Sequence, residues 1–335
     1  MKKVLFASTA LVAFGGAAVA DVALSGRAEM GIAQSSSTNS EVEMQFFTDI
    51  DVTFTMTGET DNGLTFGASV DLDEGGDGSS ASDDNTDDGG ATIFISGGFG
   101  TVTMGDTDGA MDWALKDAGN VGNGGSIADD ETSHPGYLGA YHDGAAGQDG
   151  QILRWDYSSG AFGVAISFEQ GDRDLGATTG VADETDGFGL GFKYALDLSG
   201  TTVNFGLGYQ TIDGLPIDVD IVGVSVDAAF GNGLSAGIVY TDGDIFGVAD
   251  SDHIGVGLGY TTGALTLHAN YGQYDFGDGT EADGYGLSVA YDLGGGAVVH
   301  MGYGDGDSTA TAAAAPSAVT SGDRKSFSLG LGLSF

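Results

Sequence analysis

Large apolar side chains recur at every second residue through most of this chain, and this spacing constrains its fold more than any other feature. Phe188, Leu190, Phe192, Tyr194 and Leu196 alternate with glycine, lysine and alanine. The same alternation continues at 203–209, 254–260, 285–293 and 327–335. Because successive side chains of a β-strand point to opposite faces, the pattern predicts strands with one large apolar face. The other face is mostly glycine or polar.

The composition of that second face separates two kinds of β-structure. A soluble sandwich buries its large apolar face and needs a charged outer face, whereas a barrel in lipid turns apolar residues outward and polar residues inward. Glycine, serine, threonine and asparagine dominate here, which favours the membrane barrel, with an ordinary sandwich as the alternative. Within 21–335, no apolar run approaches the roughly eighteen residues of a membrane helix. Candidate residues for the aromatic girdles are Tyr157, Tyr194, Tyr209, Tyr240, Tyr260, Tyr271 and Tyr291.

The alternating segments number sixteen, an even count that places both chain ends on the same side of a barrel. We predict an all-β fold, a 16-stranded antiparallel transmembrane β-barrel in one domain, 21–335. Short connections alternate with long ones, as in outer-membrane barrels. The predicted strands lie near 22–33, 42–57, 63–73, 91–97, 99–106, 151–158, 161–170, 187–196, 201–211, 219–230, 233–242, 253–262, 264–274, 284–293, 296–304 and 324–335.

The first twenty residues, 1–20, are predicted to be a secretory signal peptide. Lys2 and Lys3 precede a small apolar stretch, and Ala18-Val19-Ala20 forms a small-residue cleavage site before Asp21. A membrane anchor helix is the alternative reading, but the apolar stretch is short for one. We therefore expect the protein to leave the cytoplasm.

Charge and composition exclude several functional classes. The chain has 49 acidic and 9 basic residues, a formal net charge of −40, which repels nucleic-acid backbones. It has no cysteine, so disulfides, thiolate zinc sites and cysteine nucleophiles are absent. The hydrophobic content of 41% is too high for a disordered acidic chain.

Two motifs typical of enzymes fail on their context, so we predict no catalytic residues. The segment 233–237 matches G-x-S-x-G, and 255–259 resembles a dinucleotide loop, but both continue as alternating strand with no following helix. The spacing of the five histidines does not match that of a zinc site. The functional hypothesis for them is that they line a pore and titrate there. They are His134, His142, His253, His268 and His300.

Several short segments carry a family resemblance when they are taken together and in order. They are the leader 1–7, Ser25-Gly26-Arg27, the segments 63–68, 96–102 and 105–110, and the terminal Phe335. In these segments the chain resembles the general diffusion porins of Gram-negative bacteria, most of all the Rhodobacter-like porins of alphaproteobacteria. The resemblance implies a sixteen-stranded barrel, a homotrimer, and a long third loop folded into the lumen as a constriction.

The predicted third loop, 107–150, is the longest connection and strongly acidic, with Lys116 as its single basic residue. Its candidate constriction residues are Asp108, Asp112, Asp117, Asp129, Asp130, Glu131, Asp143 and Asp149. Relatives often face this loop with an arginine cluster, but the second to fourth strands here contain no basic residue. The predicted pore wall comprises Arg27, Glu43, Asp49, Asp51, Asp71, Asp73, Arg154, Lys193 and Arg324.

We predict no required cofactor, with calcium as the one candidate ion. The segment 83–89 is rich in the oxygen ligands that calcium prefers, and its candidate ligands are Asp83, Asp84, Asp87 and Asp88. The segment does not fit an EF-hand, because Asp88 stands where that loop needs glycine.

The sequence thus favours a water-filled outer-membrane channel for ions and small hydrophilic solutes. Its many carboxylates predict a preference for cations. The expected partners are outer-membrane lipid and lipopolysaccharide, two further copies of the chain, and the solutes themselves, with no nucleic acid. The alternatives are a substrate-specific channel, a secreted calcium-binding adhesin and an outer-membrane barrel enzyme.

Overall fold

The computed structural model describes residues 21–37, 40–41, 43–76, 90–127, 134–137, 151–170, 186–213, 219–245, 248, 250–310 and 322–335. The predicted signal peptide, 1–20, lies outside the described residues and stays a prediction. No helix among the described residues is long and apolar enough to cross a membrane.

Strands make up nearly all of the described chain. They are β1 Asp21–Ser37, β2 Ser40–Glu41, β3 Gln45–Glu59, β4 Thr65–Gly76, β5 Ala91–Gly97, β6 Gly100–Gly105, β7 Gln151–Ser159, β8 Phe162–Gln170, β9 Asp186–Asp197, β10 Thr201–Asp213, β11 Val219–Phe230, β12 Leu234–Gly243, β13 Ser251–Thr262, β14 Leu265–Asp275, β15 Glu281–Gly294, β16 Ala297–Ser308 and β17 Arg324–Ser334. A short helix, α1 Ala110–Ala114, and a 3₁₀ turn, Ala118–Asn120, lie between β6 and β7.

The sheet closes on itself into a sixteen-stranded antiparallel barrel, as predicted. The two-residue β2 pairs antiparallel with the end of β1, and each of the other strands pairs antiparallel with its neighbours in the chain. β1 pairs with β3 on one side and with β17 on the other, where Arg27 lies opposite Ser334 and Ser37 opposite Arg324. Closure removes the free edges that an open sheet would expose.

The large apolar residues face outward. Along β13, Ile254, Val256, Leu258 and Tyr260 are exposed, while the glycines between them are buried. Leu258 is 57% exposed and Phe46 on β3 is 76% exposed. A water-soluble sandwich would bury such side chains, because contact with water costs about 25 cal/mol per Å² of apolar surface. The outer surface therefore requires apolar surroundings.

The connections differ in length at the two ends of the barrel. At one end the turns are two to five residues long, as at 160–161, 263–264 and 60–64, and Gly263 adopts a φ of +60° in one of them. Both termini of the barrel, Asp21 and Ser334, lie at this end. The long connections join the strands at the opposite end, as the sequence predicted.

A lysine at the middle of the outer face tests this orientation. We expect Val256→Lys to lower the free energy of unfolding from lipid vesicles by about 2–4 kcal/mol, because the ammonium would lie in hydrocarbon. Thr55→Lys is the matched control, since Thr55 faces the lumen on β3 opposite Ser69. Urea unfolding in vesicles measures both, and equal tolerance of the two lysines would contradict the outward assignment.

Candidate functional site

The connection between β6 and β7 folds back into the lumen, as predicted for the third loop. α1 contacts β8, β9 and β10, and the 3₁₀ turn contacts β12, β13 and β14. The contacting wall residues alternate with the exposed apolar residues of the same strands, so they belong to the inner face. Residues 128–133 and 138–150 of this connection lie outside the described residues.

The described loop follows the inner wall around much of the barrel and is held by one strand after another. On β8, Ser167 accepts a hydrogen bond from the Ala110 amide at 2.8 Å. On β11, Ser225 accepts one from the Lys116 amide at 3.1 Å. Beyond the 3₁₀ turn, wall side chains donate to the loop: His268 Nδ1 to the Val121 carbonyl at 3.0 Å, Ser288 Oγ to Asn123 Oδ1 at 2.5 Å, His300 Nδ1 to the Gly125 carbonyl at 2.9 Å and Arg27 Nη2 to the Ser126 carbonyl at 3.2 Å.

Glycines on the inner wall allow the loop to lie directly against the strands. A Cβ added at Gly191 would overlap the carbonyl oxygen of Ala110, and one at Gly257 would overlap that of Ala118. Sequence reasoning assigned the glycine face only to the lumen. The structure adds that the loop backbone packs directly against part of this face.

The returning segment of the loop, His134 to Tyr137, is anchored by hydrogen-bonded histidine and asparagine side chains. His134 Nε2 donates to Asn270 Oδ1 at 2.7 Å, and Asn270 Nδ2 donates to His268 Nε2 at 3.1 Å. His253 Nε2 donates to the Gly136 carbonyl at 2.9 Å. Burial lowers the pKa of His134 to about 4, more than the Asn270 hydrogen bond raises it, and His253 lowers it further. His134 is therefore uncharged at neutral pH.

The inner faces of β3 and β4 differ from this buried part of the wall. Asp49, Asp51 and Asp71 face the lumen and are half-exposed. Asp71 accepts a hydrogen bond from Thr53 Oγ1 at 2.9 Å. We name the lumen-facing residues Asp49, Asp51, Thr53 and Asp71 the acidic arc; their exposure places them beside the open part of the lumen.

The predicted basic wall residues lie where the loop meets the barrel. Arg154 on β7 donates to the Asp108 carbonyl at 2.7 Å, and its Nε lies 3.4 Å from Asp156 Oδ1. The Lys193 ammonium on β9 lies 3.4 Å from the centroid of the Trp113 ring. Arg27 forms an ion pair with Glu29, which is buried. Arg324 lies on β17 opposite Gly306, close to the long-loop end.

The remaining predicted site residues occupy varied positions. Asp108 is exposed beside Arg154, Asp112 is half-buried in α1, and burial raises the pKa of Asp117 to about 6. Glu43 was assigned to the second strand, but β3 begins only at Gln45, so exposed Glu43 lies in the preceding connection. Asp73 lies on β4 opposite Asp51. Outside the described residues are Asp129, Asp130, Glu131, Asp143 and Asp149, and the candidate calcium ligands Asp83, Asp84, Asp87 and Asp88.

The structure offers little support for metal or nucleophilic chemistry. The described ranges contain no group of three or more histidine or acidic side chains arranged to hold a metal ion. Ser235, the serine of the G-x-S-x-G match, lies within strand β12 opposite Gly259, so the strand-to-helix elbow that this motif requires is not formed.

Comparisons with known proteins agree with this architecture. A family model described as Gram-negative porin matches residues 7–311. The porin of Rhodobacter capsulatus is 32% identical over 306 residues, which cover 85% of this chain and 94% of that protein. A refined porin structure superposes with a TM-score of 0.66 at 27% identity, covering 94% of this chain and 100% of the other. A triple mutant of the Rhodopseudomonas blastica porin has a TM-score of 0.64 at 20% identity over the same shares, a likeness of fold alone.

The close packing of loop and wall predicts the effect of adding a side chain at an inner-wall glycine that contacts the loop. We expect Gly257→Val to displace the 3₁₀ turn, because the new methyl groups would occupy the position of the Ala118 carbonyl. Single-channel conductance should change by at least a third, as the loop moves within the lumen. Thr55→Val, on the inner face of β3, serves as the control of similar size. Unaltered conductance in Gly257→Val would argue against the described path of the loop.

The pKa of His134 predicts a pH-dependent attachment of the returning segment. A histidine whose pKa is lowered by docking stabilises the docked state fully above about pH 6.5, and this stabilisation is lost as pH falls to about 4. The shift corresponds to roughly 3 kcal/mol. Hydrogen exchange at the Gly136 and Tyr137 amides, corrected for intrinsic rates, should therefore accelerate as the pH falls from about 6.5 to about 4.

His134→Gln provides the matched control, since its amide can still reach Asn270 but does not titrate. We expect a flatter pH profile in this variant. An identical profile in the two proteins would assign the effect to another group.

Proposed function

The chain belongs to the Gram-negative porin family, which makes it an outer-membrane channel protein and not an enzyme, and from this premise we propose that its channel is a water-filled, cation-preferring path for ions and small hydrophilic solutes. The acidic arc is the observation that carries this proposal. Its carboxylates face the lumen side by side on two neighbouring strands, and Asp73 lies opposite Asp51 in the same ladder.

The acidic arc attracts passing cations through its electric field. A unit charge about 8 Å from a passing ion contributes roughly 0.5 kcal/mol in water, and a low-dielectric wall focuses the field further. Two of the basic side chains that would oppose it are engaged with acids, Arg27 with Glu29, and Arg154 with Asp156 and Asp108. The formal net charge of −40 acts in the same direction at longer range.

The further parts of the proposal rest on family resemblance and on the sequence. The chain is exported through the periplasm after removal of 1–20, assembles as a homotrimer, and contacts lipid and lipopolysaccharide with its apolar outer face. The channel itself needs no cofactor, and calcium bound at 83–88 is a separate proposal. A substrate-specific channel is the second candidate, and a cavity beneath the loop favours it.

Reversal potential in a planar bilayer under a salt gradient tests cation preference. We expect a cation-selective potential in the wild type, and a fall of roughly two-fold in the permeability ratio for each carboxylate neutralised in Asp49→Asn, Asp51→Asn and Asp71→Asn. Asp61→Asn, in an exposed turn between β3 and β4, is the control and should leave the ratio unchanged. A wild-type potential of zero, or one of the anion-selective sign, would refute the preference.

A further inference from the structure

A cavity of about 370 Å³ lies beneath the third loop, between α1 and the short-turn ends of β8 to β11. Its polar lining comprises Lys116, Ser158, Lys193, Asn204, Ser225 and Asp227, and the loop contributes the aromatic ring of Trp113. Because both the loop and the wall contribute, the cavity exists only when the loop is docked. A solute that passes the loop would meet this cavity next on its way to the short-turn side.

Two ammonium groups line the cavity in an otherwise acidic channel. Lys193 Nζ donates to the Trp113 carbonyl at 3.3 Å and lies over the Trp113 ring. The amide of Lys116 is held by Ser225, and its side chain is exposed. Within the described part of the chain, neither ammonium forms an ion pair with a carboxylate.

One carboxylate belongs to the same cavity. Asp227 on β11 is only 9% exposed and accepts a hydrogen bond from Asn204 Nδ2 at 2.8 Å. Lys193 lies opposite Gly206 on β10, and Asn204 of that same strand lies opposite Asp227. Lys193 and Asp227 are thus two strands apart and offset by two residues along the strands, a backbone separation of roughly 12 Å.

This arrangement matches a small molecule that carries both charges. A carboxylate bound to an ammonium at about 2.8 Å, with its own amino group bound to a second carboxylate, spans roughly 8–9 Å between the protein charges. A simple anion would meet Asp227, and a simple cation would meet two lysines. A sugar would need the face of Trp113 that Lys193 occupies.

We propose that the cavity is a transient binding site for zwitterions of the α-amino acid class. The solute carboxylate binds Lys193 and Lys116, and its ammonium binds Asp227. The proposal rests on the proposed function as a channel and adds a solute class to it. Such a molecule has no net charge, so the acidic field of the lumen does not exclude it.

Single-channel recording of the folded protein in a planar bilayer tests the site, with L-alanine as the probe. Alanine leaves the ionic strength unchanged, so a saturable fall in potassium chloride current reports occupancy. We expect acetate and ethylammonium to need at least ten-fold higher concentrations for the same effect. Lys193→Gln and Asp227→Asn should each raise the half-saturating alanine concentration at least ten-fold, whereas Arg324→Gln, a basic wall residue outside the cavity, should not.

The outcomes separate the site from the channel. Current in the absence of alanine shows that each variant has folded and inserted. An alanine effect that both cavity variants retain, or acetate as effective as alanine with Asp227→Asn unaltered, would overturn the zwitterion site. A conducting wild type that ignores alanine overturns the site alone, and a wild type without any current overturns the proposed function together with it.

Discussion

Closure of the hydrogen-bonded wall is the constraint on which the rest of this structure depends. Hydrocarbon supplies no partner for a peptide group, and each unsatisfied group costs several kcal/mol, so a strand can cross lipid only when both of its edges are paired. The ladder between β1 and β17 pairs the last two edges. Once every peptide group is hydrogen-bonded within the wall, the alternation of side chains along each strand leaves one variable, namely which of the two faces contacts lipid. The large apolar side chains take the outer face, and the lumen receives the small and polar residues that remain.

The small interior residues make the docked loop feasible. Glycine in a strand costs about 0.5–1 kcal/mol of conformational entropy relative to alanine, yet at Gly191, Gly257 and Gly272 any larger residue would overlap the loop backbone. The buried carbonyls of that backbone also need donors, because an orphaned carbonyl costs about as much as a lost hydrogen bond. His268, His300 and Arg27 supply them from three different strands. The composition of the lumen face therefore reflects contact with the loop as well as with water.

The sequence predicted the strands well, because their pattern is local, and the site only in part. All sixteen predicted strands occur, and most of their ends lie within two or three residues of the predicted ones. The alternation of side chains along each strand was sufficient to assign Asp49, Asp51 and Asp71 to the lumen. Glu43 was misplaced because the strand start carries no turn signal at Gln45. The path of the loop was not predictable, since its anchors Ser167, Ser225 and His300 lie on different strands and share no spacing. Histidines at lumen-facing positions were the one available signal, and pattern reasoning had no means of pairing them with loop carbonyls.

The few basic side chains acquire a common role from this geometry. Arg154, Lys193 and Arg27 each donate to a loop carbonyl, those of Asp108, Trp113 and Ser126 respectively. Positive charge is thereby fixed at the junction of loop and wall, while β3 and β4 present carboxylates. Arg27 lies opposite Asp51 in the ladder between β1 and β3, so the junction borders the acidic strands on that side. Because the hydrogen bonds that position the loop also hold these positive charges, displacement of the loop would alter both the width of the passage and the electric field inside it.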